Sequence, residues 1–228
     1  MTVRIPAEVG FYIRALARAY DRKRAPGAGS RPSALEELVR TVLSQNTNDR
    51  NRDRAWRSLR QRFPNWEAAA RARRPDLVAA IRVAGLAEQK AEWIQALLRR
   101  VRESEGRYSL ARVCRMPVDE AREYLLSFRG VGDKTAACVI LFACGRPAFP
   151  VDTHILRVSR RLGLLPVKAT AHEAHQRLGK MVPAKWRYEF HLNLIAHGRA
   201  VCRARKPDCP VCCLKERCRF YRQVKKSA

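Results

Sequence analysis

The chain has 228 residues, 46% of them apolar and 30% charged, enough apolar material to bury a substantial core in one large domain or two small ones. Lys and Arg number 47 against 21 Asp and Glu; the resulting charge of +26 finds its counterpart in a polyanion, so nucleic acid leads as a partner class over a membrane surface. No stretch approaches the ~18 consecutive apolar residues of a membrane span. The Arg-rich start lacks the apolar run of a secretion signal and is interrupted by Glu8 and Asp21, so the expectation is a soluble intracellular protein with no membrane partner.

In chain order, the first predicted element is a helix with apolar positions Val9, Ile13, Leu16 and Tyr20, preceded by Pro6. The segment APGAGSRP at 25–32 reads as a linker. Ser33 and Glu36 form a capping box, in which the serine oxygen accepts from a free N–H of the first turn and the glutamate reaches back to the cap; it opens a helix over 35–43. Apolar spacing of three and four continues over 53–63, 88–101 and 118–126, broken by RFP at 62–64, RRP at 73–75, SEGR at 104–107 and GRP at 145–147. Strand-like alternation is scarce and no internal repeat is visible, so the predicted class is all-α. Domain boundaries are expected at the linker and near 146–150.

The helical pattern VDEAREYLLSF runs into RGVG and out into DKTAACVILFACG, so two helices are joined by a hairpin in which Gly130 and Gly132 permit positive φ or a close backbone approach. Backbone N–H groups gathered at the following helix N-terminus suit a phosphate, although a lone GxG is usually just a turn. Lys134 stands in the first turn of the second helix, where the dipole disfavours an ammonium and burial would depress it further, leaving an amine able to attack carbon. Asp133 opposes this by favouring the charged lysine, and taken alone the pair reads as a solvated helix start. Asp152 is a good N-cap for the helix THILRVSRRL. A cap held ionised by the dipole also suits a carboxylate that stabilises positive charge or takes a proton.

Eight cysteines are present. Cys202, Cys209, Cys212 and Cys218 follow a C-x6-C-x2-C-x5-C pattern, which argues for a metal centre over a disulfide framework. Four thiolates at this spacing suit one [4Fe-4S] cube and also suit tetrahedral zinc. Cys213 is a spare beside Cys212 that blurs the register. Arg203, Arg205 and Lys206, in the loop closed by Cys202 and Cys209, are either backbone contacts for DNA or a solvated basic loop. Cys114, Cys138 and Cys144 read as buried helix-face cysteines, and His172, His175, His191 and His197 form no convincing metal set.

The stretch FRGVGDKTAACVILFACGRPAFPVDTHILRV at 128–158 resembles the helix-hairpin-helix and following Asp loop of the endonuclease III family of DNA glycosylases. VLSQNTNDRN at 42–51 is similar to its base-recognition helix, GLAEQKA at 85–91 to its loop bearing a DNA-inserting Leu, and LIAHGRAVCRARKPDCPVC at 194–212 to its cluster-binding tail. The resemblance spans about 34–218 and implies a helical barrel domain over 34–146, an iron-sulfur domain of 1–33 with 147–228, and a DNA cleft between them. It further implies that Lys134 is the nucleophile that attacks the sugar C1′, that Asp152 is the assisting carboxylate, and that Leu86 is a wedge for flipping a nucleotide. Asn46 or Gln45 would fill the gap left by the flipped base, the hairpin Gly130, Val131 and Gly132 would meet DNA, and Cys202, Cys209, Cys212 and Cys218 would hold a [4Fe-4S] cluster.

The implied protein is a monomer, cytoplasmic at a bacterial nucleoid, acting on duplex DNA with a damaged base or an abasic site. Lys134 points to combined glycosylase and lyase activity, with oxidised pyrimidines as first substrate. A DNA-binding iron-sulfur damage sensor and a monofunctional mismatch glycosylase stay open. Two departures from the family pattern stand out: Phe128-Arg129-Gly130 replaces Leu-Pro-Gly, which is expected to add a charge and loosen the turn, and Asp133 is expected to place an anion beside the nucleophile.

Overall fold

In the computed structural model, residues 7–20 and 25–226 are described; Pro6 and Asp21 lie outside them. Those residues form an all-helical fold with no strand among them. In chain order the helices are α1 (Ala7–Ala19), α2 (Ala34–Ser44), α3 (Asp49–Arg62), α4 (Trp66–Arg71), α5 (Arg74–Ile81), α6 (Ala87–Glu105), α7 (Val118–Leu126), α8 (Asp133–Cys138), α9 (Thr153–Leu162), α10 (Ala171–Met181), α11 (Arg187–Ala200) and α12 (Arg219–Lys226). The chain divides into two compact units, one of Ser30–Cys144 and one of Met1–Gly29 with Gly145–Ala228. No helix among the described residues is long and apolar enough to cross a membrane.

In the 30–144 unit, α2 opens at the Ser33–Glu36 capping box and buries Leu35, Leu38, Val39, Val42 and Leu43. It packs against α3, α6 and α8, and each fully buried leucine contributes roughly 1.5–3 kcal/mol. α3 begins earlier than the apolar pattern suggests, because the Asn48 side chain accepts from the Asn51 N–H and caps a polar first turn. RRP at 73–75 does not break the chain; it starts α5, since a proline in the first turn lacks only an N–H that has no helical partner there. α8 continues into a π-helical turn over Val139–Ala143.

One cysteine expectation is corrected. Cys138 is buried and outside any disulfide, but Cys114 and Cys144 form one. Cys114 ends a 3-10 turn at Ala111–Cys114, Cys144 follows the π-helical turn, and the two turns pack together with a Cα–Cα distance of 4.8 Å, within bridging reach. Such pairing is decided by tertiary packing and leaves no local pattern among the residues around either cysteine.

The other unit is built on α1, α9 and α11. Tyr12, Leu16 and Phe190 are fully buried there, and the Tyr12 hydroxyl donates to the Arg217 carbonyl at 2.9 Å, tying α1 to the segment before α12. α9 and α11 approach so closely that a Cβ on Gly198 would lie 2.9 Å from the His154 Cβ.

The disulfide closes a loop of sequence separation 30 that contains α7, the hairpin and α8. Chain-entropy arguments assign such a loop about 3.5 kcal/mol. A Cys114→Ser/Cys144→Ser protein is therefore expected to unfold at lower urea than the oxidised wild type and to match the reduced wild type; coincident curves for oxidised and reduced wild type would rule this contribution out.

Candidate functional site

The hairpin 127–132 is held by more contacts than its sequence suggests. Gly130 has φ +80°, and a Cβ there would lie 2.5 Å from the Trp93 ring, so both the turn and the packing require glycine. Phe128 is buried under the Arg100 guanidinium, 4.9 Å from the ring centre. Arg129 forms an ion pair with Glu92 of α6, which pins the turn where a loosened one was expected. Asp133 is ion-paired with Arg122 of α7, so its charge is met by a guanidinium. Neither pair involves Lys134, which is half-buried in the first turn of α8.

Val131 does not fit the role expected of it. Its side chain is 7% exposed and its N–H donates to the Phe128 carbonyl at 3.1 Å, so the residue is spent inside the turn. Gly132 is exposed and leads α8 with no side-chain cap.

Gln45 and Asn46 separate in role. The Gln45 amide donates to the Gly130 carbonyl at 2.9 Å and reaches the Thr135 hydroxyl at 3.4 Å, so it braces the hairpin. Asn46 is exposed. Among the described residues, the non-glycine residues with positive φ are Asn46 (φ 51°), Leu86 (φ 50°) and Lys206 (φ 48°), each of them expected to touch DNA. A left-handed conformation costs a residue with a Cβ roughly 1–2 kcal/mol, and such strain persists where the surroundings impose it. Leu86 is also 53% exposed, an apolar tip presented to solvent at the start of α6.

Asp152 lies in the other unit, where its carboxylate accepts from the Ile155 N–H at 2.8 Å and caps α9. His154 contacts Arg157, whose guanidinium also donates to the carbonyls of Cys202 and Gly198. Cys202, Cys209, Cys212 and Cys218 all line one pocket, walled by Val158, Leu162, Val201 and Phe220. Cys213 is exposed and does not line it. Arg161 donates to the Cys202 sulfur at 3.4 Å and the Leu214 N–H to the Cys212 sulfur at 3.4 Å, the kind of donors that stabilise thiolate ligands. Burial pushes the Cys212 thiol up to about 11 and pulls His197, which contacts it, down to about 4. Arg161 also donates to the carbonyls of Arg203 and Ala204, fixing the backbone beneath the exposed Arg203, Arg205 and Lys206.

Among the described residues no three His, Cys, Asp or Glu side chains converge on one point, as a lone tetrahedral ion demands. Four thiols lining one pocket are the donor set that a [4Fe-4S] cluster takes.

Two residues escaped the sequence reading. Lys90 is 0% exposed, and its ammonium donates to the carbonyls of Leu43 (2.9 Å) and Ala84 (2.8 Å). Its signal was a lysine in register with Ile94, Leu97 and Val101 on the buried stripe of α6. Glu37 shares a face of α2 with Thr41 and Gln45. Burial raises its carboxyl above the usual range, against the lowering pull of the Thr41 hydrogen bond and of Arg40, Lys134 and Arg52.

Residues 39–184 match the HhH-GPD superfamily of base excision DNA repair proteins. An endonuclease III of Thermotoga maritima is 34% identical over 201 residues, covering 88% of this chain and 90% of that one. A protein of Arabidopsis thaliana described as a DNA glycosylase is 34% identical over 174 residues, but the match spans 76% of this chain and 59% of the plant protein. A solved non-covalent complex of endonuclease III with DNA superposes with a TM-score of 0.80 at 28% identity, covering 96% of this chain and 97% of that one.

Because the folded pKa of Glu37 lies above its unfolded value of 4.5, the folded state holds more protons between the two, and this contribution to stability is lost as pH rises through the folded pKa. Glu37→Gln removes that loss. Its stability relative to wild type is expected to be greater at about pH 8 than at about pH 4 in urea melts; a pH-independent difference would mean that Glu37 titrates normally.

Proposed function

We propose a combined base-removing and strand-cleaving reaction for this chain, which belongs to the HhH-GPD superfamily of base excision DNA repair proteins and is a DNA glycosylase. Its substrate is duplex DNA with a damaged base, oxidised pyrimidines first, or an abasic site. The observation that carries the lyase half is the setting of Lys134: a half-buried amine in the first turn of α8, beside an aspartate whose charge is met by Arg122. The names of the endonuclease III relatives support the same reading.

The neutral Lys134 amine attacks C1′, and the electron pair of the glycosidic bond leaves with the base, which takes up a proton. Opening of the sugar ring gives an imine on Lys134. Loss of a C2′ proton then expels the 3′ phosphate by β-elimination, and water frees the lysine. Asp152, whose carboxylate caps α9, stabilises the positive charge that develops at the sugar or takes a proton from it. Leu86 enters the duplex as the nucleotide leaves the stack, Asn46 fills the gap, and the N–H groups that start α8 hold a phosphate.

Cys202, Cys209, Cys212 and Cys218 would hold a [4Fe-4S] cluster, which when bound supplies a rigid cross-link for the tail. Arg203, Arg205 and Lys206 then contact the DNA backbone, and their contribution to affinity falls with salt.

Borohydride trapping on a duplex with one abasic site tests the nucleophile. Wild type is expected to form a covalent adduct and Lys134→Gln none, while Asp152→Asn slows base release from a damaged duplex. If wild type binds the duplex without crosslinking, the lyase assignment fails and base removal alone, or binding alone, takes its place.

A further inference from the structure

Lys90 lies inside the 30–144 unit, is fully buried, and belongs to none of the roles above. Its ammonium donates to two carbonyls remote in sequence from each other. One is Leu43, in the last turn of α2, three residues before Asn46. The other is Ala84, two residues before Leu86. Asn46 and Leu86 both have positive φ, and Gly85 between Ala84 and Leu86 does as well, at φ 68°. Each strained tip therefore follows closely on a carbonyl held by the same cation. The Lys90 N–H also donates to the Leu86 carbonyl at 3.0 Å, so one residue grips both sides of the Gly85–Leu86 turn.

Resting on the glycosylase reading above, we propose that Lys90 is a positioning residue for nucleotide flipping: its ammonium locks the Asn46 turn and the Leu86 tip into one rigid element that enters the duplex together. A hydrophobic side chain could fill the same space but would leave two carbonyls unmet, and the two tips would relax independently toward ordinary backbone. Lys90 touches no reacting atom, so chemistry at a nucleotide that is already unstacked does not need it.

The test compares wild type, Lys90→Met and Leu86→Ala on two DNAs with one abasic site, a duplex carrying 2-aminopurine opposite the site and the corresponding single strand. Lys90→Met is expected to lose the 2-aminopurine fluorescence rise on binding the duplex, as Leu86→Ala does. Its borohydride-trapping rate should fall about tenfold to a hundredfold on the duplex yet stay within about threefold of wild type on the single strand. A general loss of structure would lower both rates together, and that result, or an unchanged fluorescence rise, overturns the proposal. Thermal melts accompany each variant; should Lys90→Met not fold, Lys90→Gln, whose amide still donates to one carbonyl, takes its place with the same expected split. The fluorescence signal does not depend on Lys134 chemistry, so a wild type that flips but never crosslinks refutes the lyase reading while still deciding the role of Lys90.

Discussion

Inside the 30–144 unit, an ammonium and two carbonyls depend on one another. A buried carbonyl without a donor costs about 1–3 kcal/mol, and a buried ammonium without acceptors costs several. Lys90, Leu43 and Ala84 cancel much of this by meeting at 2.9 and 2.8 Å, while burial still pulls the Lys90 ammonium down to about 8. From Leu43 the constraint passes to the end of α2 and to Gln45, whose amide grips the hairpin at Gly130 and Thr135. From Ala84 it passes to the Leu86 turn. The hairpin, the α2 end and the Leu86 tip are thus held by polar contacts, fully buried at Lys90 and part-buried at Gln45, with the apolar core around them supplying the stability.

Charge is arranged in the same spirit. A chain with a net +26 would be expected to leave its hairpin bristling with unpaired cations. Instead Arg129 meets Glu92, Asp133 meets Arg122, and Arg100 lies over Phe128. Pairing these groups internally keeps the hairpin fixed. In the tail the logic reverses: Arg161 is drawn inward to hold the carbonyls of Arg203 and Ala204, and the side chains of Arg203, Arg205 and Lys206 stay exposed. One region pairs its charges internally and the other leaves them exposed.

Strain marks the same places. Asn46, Leu86 and Lys206 each carry a Cβ through left-handed backbone where glycine would sit at ease. Each also presents a side chain outward, so the conformation aims a group that glycine lacks.

By itself the sequence determined the features that depend on neighbours a few residues apart. Helix periodicity, the Ser33–Glu36 box, the Asp152 cap, the glycine hairpin and the C-x6-C-x2-C-x5-C tail are all local patterns, and they sufficed for an all-α fold, while the roles expected of Lys134, Asp152 and Leu86 came from the family resemblance. Tertiary structure alone decided who meets whom across the chain: Lys90 with Leu43 at a separation of 47 and Gln45 with Gly130 at 85. It also joined Cys114 to Cys144, turned Asp133 toward Arg122, and spent the Val131 N–H within the turn. A hydrogen bond or ion pair between distant segments leaves no period in the sequence; it exists only once apolar packing has fixed both partners at bonding distance, and here that packing assigned Gln45 to the hairpin and left Asn46 exposed.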